Sequence, residues 1–218
     1  MDEPGRPTRQ QYQLPTDKFI FANFNQLYKI DPHTFSVWMN VLKRVDNSVL
    51  WLLEYPADAK KNLQEEASKR GVNPDRIVFT AKAPKHEHIN RCYLADLSLD
   101  NFVVNGHTTS TDLLWSGCPL LTMPATENMP SRVAASICNA LGCPEMVCHS
   151  TTEFEDRAVE LATSPQLLRA LREKIDRNKH SAPLFDTQRW VRNLEKGLSR
   201  AWELFSTDQP RSHINVVD

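Results

Sequence analysis

Short apolar runs alternate along this chain with stretches whose apolar residues recur at helical spacing. Phe19-Ile20-Phe21-Ala22 predicts a strand. Val49 to Leu53 is continuously apolar, the mark of a strand buried on both faces. Arg76 to Thr80, Leu97 to Leu99, Pro119 to Met123 and Met146 to Cys148 predict four more strands. Asp31-Pro32 opens a helix through Arg44, with aspartate at the N-cap and proline at the first helical position. Further helices are expected at Ala57 to Arg70, stopped by Gly71, and at His86 to Ala95. Thr108 to Ser116 is closed by Gly117, and Ser131 to Leu141 is capped by Gly142. Thr152 to Ala162, Pro165 to Asn178 and Thr187 to Phe205 complete the set. Strands alternating with helices imply an α/β fold with a mostly parallel sheet covered on both faces. Residues 1–17 read as a flexible lead-in, 18–206 as one domain and 207–218 as a loose polar tail.

Composition narrows the classes of partner. The 218 residues suffice for one large domain or two small ones, and 40% hydrophobic residues can build a core. Lys plus Arg number 26 against 27 Asp plus Glu, which gives no electrostatic case for nucleic acid or a membrane surface. The apolar runs are too short to span a bilayer, and the polar first residues lack the apolar core of a signal peptide. Five cysteines without a CxxC pair suit a reducing compartment and a role as small buried side chains. Cys143, Cys148 and His149 match no zinc spacing.

In a parallel sheet, ligands bind beyond the carboxyl ends of the strands. The loops after Phe21, Thr80 and Val104 are therefore the candidates, and each is unusually polar. The first carries Asn25, Gln26 and Lys29, the lysine lying just before the helix cap at Asp31. The positive end of the helix dipole disfavours a cation there, and a bound anion would remove the conflict. Its plain alternative is a solvated lysine or one paired with Asp31. The second loop carries Ala83, Lys85 and, one helical turn apart, His88 and Arg91, whose flat groups can stack on a base. A solvated basic helix start is the alternative. The third is Asn105-Gly106-His107-Thr108-Thr109-Ser110-Thr111-Asp112. A glycine turn feeding a hydroxyl-rich helix start offers free N–H groups and a dipole to a phosphate. Gly106 permits close backbone approach to a ligand, and Asp112, four residues after Thr108, can accept bonds from ribose hydroxyls. An ordinary threonine N-cap is the alternative. There is no Gly-x-Gly-x-x-Gly, Walker or Gly-x-Ser-x-Gly motif, which argues against NAD enzymes, ATPases and hydrolases.

The ordered blocks FNQLYKIDP (24–32), APKHEH with Arg91, LDNFVVNGHTTSTDLLWSGCPLLTMP (99–124), SRVAASI with LGC (131–143), and APLFDT (182–187) resemble the catalytic region of the protein O-GlcNAc transferases. The resemblance implies a Rossmann-like domain, the C-terminal, donor-binding half of a GT-B glycosyltransferase. It implies that Lys29 contacts the UDP diphosphate and stabilises the leaving group, with Gln26 near the same phosphates. Ala83 and Lys85 would contact uracil through the loop backbone, and His88 and Arg91 would pack around the uridine. His107, Thr108 and Thr109 would hold the phosphates and Asp112 the ribose. The implied reaction is inverting transfer of N-acetylglucosamine from UDP-GlcNAc to Ser or Thr hydroxyls of nuclear and cytosolic proteins, without a metal. It also implies an N-terminal catalytic half and tetratricopeptide repeats outside these 218 residues. A non-catalytic UDP-binding module is a second expectation, and a Spindly-type GDP-fucose protein O-fucosyltransferase a third. The Spindly-type enzymes usually lack the histidine at position 107, so His107 favours the GlcNAc branch.

Overall fold

The computed structural model describes residues 7–217. Its centre is a sheet of five parallel strands: β1 (Phe19–Asn23), β2 (Ser48–Leu53), β3 (Ile77–Thr80), β4 (Leu97–Leu99) and β5 (Leu120–Leu121). The spatial order is β3-β2-β1-β4-β5. Phe21 pairs with Leu50 on one side and Leu97 on the other. From β1 the chain steps outward to β2 and β3, then returns to β4 on the opposite side of β1. The connections diverge there, leaving a crevice at the carboxyl ends of β1 and β4.

Among the described residues, eight helices surround the sheet: α1 (Pro32–Arg44), α2 (Ala59–Lys69), α3 (Lys85–Cys92), α4 (Thr108–Trp115), α5 (Val133–Ala140), α6 (Thr151–Thr163), α7 (Pro165–Asn178) and α8 (Thr187–Ser206). Every residue of β2 is buried, as its unbroken apolar run requires. Asp31 caps α1 by accepting the His33 and Thr34 N–H groups, each at 3.0 Å. Gly71, Gly117 and Gly142 adopt φ of +77°, +86° and +75°, so each helix-stop glycine occupies the left-handed region that other residues avoid.

Three expectations change. The sixth strand, Met146 to Cys148, reduces to a single parallel bridge between Thr122 and Val147. Pro144–Met146 forms a 3-10 turn instead, which occupies the start of the expected run. The lead-in is docked where it is described: Gln10–Tyr12 is a 3-10 turn and Leu14 is buried. Arg9 reaches the Asp96 carboxylate at 2.7 Å, and the Tyr12 ring packs 5.6 Å from Trp51. Three anchoring side chains fix a segment whose average composition is that of a loop. Residues 1–6 of the expected lead-in lie outside the described residues. Near the C-terminus, the Val217 carbonyl accepts from Lys196 Nζ at 3.1 Å, so the tail folds back on α8.

Candidate functional site

At the crevice lies a cleft of about 420 Å³. All ten residues singled out from the sequence line it: Gln26, Lys29, Ala83, Lys85, His88, Arg91, His107, Thr108, Thr109 and Asp112. Phe24, Asn25, Tyr28, Leu53 and Lys82 complete the wall. The three loops therefore meet, although up to 86 positions separate their residues in the chain.

One part of the wall presents positive charge. Thr108 and Thr109 are the first two residues of α4, and helix geometry leaves their N–H groups without intrahelical acceptors. The cap position belongs to His107, whose side chain makes no capping bond, so the ordinary threonine N-cap does not occur here. The His107 Nε2 atom is buried with no hydrogen-bond partner among the described residues. Lys29 is half-buried across the turn, its Nζ 3.1 Å from the Asn105 carbonyl. A partial positive charge from the helix and a full one from Lys29 thus flank the same turn.

Packing inside the protein also requires Gly106. A methyl group there would overlap Ser110 Oγ and lie 2.9 Å from Thr109 Oγ1 and 3.2 Å from Asn25 Oδ1. All three are the protein's own polar side chains.

The other part of the wall is flat and apolar beneath. Phe24 meets the His88 ring edge-on at 5.3 Å, and the Arg91 guanidinium lies 5.4 Å from the Phe24 centroid. Arg91 is not the open, stacking group expected from the sequence. It is 2% exposed and donates to the Ala81 carbonyl at 2.7 Å and to Thr80 Oγ1 at 3.2 Å. It braces the β3–α3 loop that carries Ala83, and so shapes the wall from behind. Burial, then the neighbouring Arg91 charge, lowers the His88 pKa below its ordinary value, with Asp112 opposing. Asp112 is buried and holds Lys85 Nζ at 2.6 Å. Lys85 is 58% exposed, so solvent screens the pair and weakens it.

Beneath the turn lies a buried polar quartet, of which the sequence pointed only to Asn25: Asn23, Asn25, Asp100 and Asn101. Asn25 donates to Asn101 Oδ1 at 2.7 Å and accepts the Thr109 hydroxyl. Asp100 accepts the Gly106 N–H at 2.7 Å. Burial pushes the Asp100 carboxyl up to about 7, against hydrogen bonds from Gly106, Thr122 and Asn101 and the Lys29 charge. The available signal was an aspartate directly after the apolar run of β4, a polar residue that must be buried wherever that strand ends inside the sheet. Among the described residues, no group of three or more His, Cys, Asp or Glu side chains is gathered as for a metal ion. All five cysteines are buried and unpaired.

The model of glycosyl transferase family 41 matches residues 6–194. The chain belongs to that family. SEC of Arabidopsis thaliana, a probable UDP-N-acetylglucosamine–peptide N-acetylglucosaminyltransferase, is 47% identical over 100% of the family 41 chain and 22% of its own length. The Caenorhabditis elegans UDP-N-acetylglucosamine–peptide N-acetylglucosaminyltransferase is 42% identical over 95% of the chain and 18% of its own length. The chain thus spans about a fifth of the length of these curated relatives. Among solved structures, a mutant of Thermobaculum terrenum O-GlcNAc transferase superposes with a TM-score of 0.80 at 26% identity, covering 85% of this chain and 36% of that one. That match gives the family 41 chain the fold of a GT-B C-terminal domain, and the strand order and the cleft at the switch point agree with it.

Proposed function

We propose that the cleft binds UDP-N-acetylglucosamine and that the chain is the donor-binding part of a protein O-GlcNAc transferase. The convergence of all ten residues on one cleft, with a cation and an uncapped helix start on one part of its wall, carries this reading. The diphosphate would face Lys29, His107 and the Thr108 and Thr109 N–H groups. The base would lie against the Phe24–His88 wall and the Ala83 backbone, and the ribose would take Asp112 in exchange for Lys85. Identity of 47% and 42% to UDP-N-acetylglucosamine–peptide transferases supports UDP over GDP, and so GlcNAc over fucose.

The chemistry asked of these residues is electrostatic. As the bond between the sugar C1 and the β-phosphate oxygen breaks, negative charge grows on that phosphate. Lys29 and the helix N–H groups are already in place to stabilise it, which lowers the barrier without reorganisation. We further propose that they do so without a metal and with inversion at C1. Acceptor binding falls to an N-terminal half, with tetratricopeptide repeats, in a longer protein acting on nuclear and cytosolic Ser and Thr residues. In that full-length protein, Lys29→Ala should lower kcat by about 10²–10³-fold while changing the UDP Kd far less. Equal losses in both would contradict the leaving-group role.

A further inference from the structure

A carboxyl group lies directly behind the phosphate-facing turn, and no step described above uses it. Asp100 follows β4 and is 1% exposed. Its Oδ1 accepts the Gly106 N–H at 2.7 Å, the Asn101 N–H at 2.9 Å and Asn25 Nδ2 at 3.4 Å. Its Oδ2 accepts the Thr122 hydroxyl at 2.8 Å. Asn25 in turn accepts the Thr109 hydroxyl. One carboxylate thus holds both ends of segment 106–109, Gly106 directly and Thr109 through Asn25.

We propose that Asp100 is a positioning residue of the donor site, which fixes the Gly106–Thr109 turn and takes up a proton when the diphosphate arrives. This rests on the reading of the cleft as a diphosphate site.

The charged neighbours decide the direction of the coupling. From the β1–α1 loop, Lys29 is a cation acting on Asp100. From α5, the Cys138 thiol is a further titratable neighbour, and burial holds it well above its ordinary value, hence neutral. Asn25, Asn101 and Thr122 carry no charge. A diphosphate against Lys29 and the start of α4 adds negative charge near Asp100 and engages the ammonium that steadies its ionised form. Both changes favour the neutral carboxyl. The free carboxyl titrates at about 7, so a modest added field changes its charge under ordinary conditions. Protonation does not dismantle the turn. The neutral acid still accepts Gly106 N–H at Oδ1, and an O–H on Oδ2 points at the Thr122 hydroxyl.

The test is calorimetric titration of the 218-residue chain with UDP, in two buffers of different ionisation enthalpy, at about pH 7.5. There the nucleotide phosphate, with its last pKa at about 6, has nearly finished titrating. A one-unit rise from a free value of about 7 corresponds to uptake of about half a proton. It also corresponds to an affinity loss of about fourfold between about pH 7 and 8.5. In Asp100→Asn, which keeps an acceptor for Gly106 N–H, that share of the uptake and of the pH dependence should vanish, while any share from other groups remains. Equal proton uptake by wild type and variant overturns the inference. A measurement without any variant is the midpoint of the Asp100 carboxyl carbon resonance with pH. It should rise on adding UDP, and an unmoved midpoint overturns the inference. If the wild-type chain binds no UDP, the diphosphate reading fails first and this inference with it. UDP binding with no Asp100-dependent proton leaves that reading intact and removes only the inference.

Discussion

Replacing Gly106 by alanine tests the claim that the turn is locked from within. The new methyl would overlap Ser110 Oγ and press on Thr109 Oγ1 at 2.9 Å and Asn25 Oδ1 at 3.2 Å. Ser110 cannot swing away freely, because its hydroxyl donates to the Gly106 carbonyl at 2.8 Å. Nor can Asn25, held by Asn101 at 2.7 Å beneath it. Overpacking of this kind costs about 1–3 kcal/mol, a sizeable part of the roughly 5–15 kcal/mol that holds a typical domain together. The backbone has to move by tenths of an ångström, which re-aims the Thr108 and Thr109 N–H groups. Loss of one charge-assisted bond to phosphate would weaken UDP binding by about 1.5–3 kcal/mol, or roughly ten- to a hundredfold. Denaturant unfolding and UDP titration of Gly106→Ala give the two numbers. Adding Ser110→Ala removes the nearest obstacle, and the double variant should recover part of both losses. Wild-type stability together with wild-type affinity in Gly106→Ala would refute the packing argument.

Two further outcomes follow from the geometry. Asp31→Ala deletes the cap that accepts from His33 and Thr34, and should cost about 1–2 kcal/mol of unfolding free energy; no measurable change would mean that Pro32 alone starts α1. Asp100 has a folded pKa of about 7 against an ordinary 3.8, so the folded state binds the extra proton. Its ionisation therefore removes stability as pH rises from about 4 towards 7, and the loss is complete above 7. Asp100→Asn should be more stable than wild type near pH 8, by a few kcal/mol in order of magnitude, and the gap should close near pH 4. A constant difference across that range would show that the carboxyl is not buried as described.

The fold was legible where one residue type has one physical use. Asp31-Pro32, the continuous apolar run of β2 and the glycines at 71, 117 and 142 each place an element end or a buried strand by local chemistry alone. The short strands were harder. Met146 to Cys148 has strand composition, but Pro144 starts a 3-10 turn and a single bridge survives. The docked lead-in was hidden because Arg9, Tyr12 and Leu14 find partners at Asp96, Trp51 and the core, far along the chain. The site followed the same rule. Lys29, His88 and the Asn105–Asp112 segment announce themselves by position at loop ends. Asp100 and Asn25 do not, because their meaning lies in each other, in Gly106 and in Thr122, which only the folded sheet brings together. Arg91 was visible as a cation but not as a brace, since its acceptors at Thr80 and Ala81 belong to the preceding strand and loop.

The central claim is that the cleft at the β1–β4 switch point is a uridine diphosphate site. Titration of the 218-residue chain with UDP and, separately, with GDP tests it most directly. The account predicts saturable one-to-one binding of UDP, weakened strongly by Gly106→Ala, and markedly poorer binding of GDP. Tighter binding of GDP, or UDP binding untouched by that substitution, would contradict it.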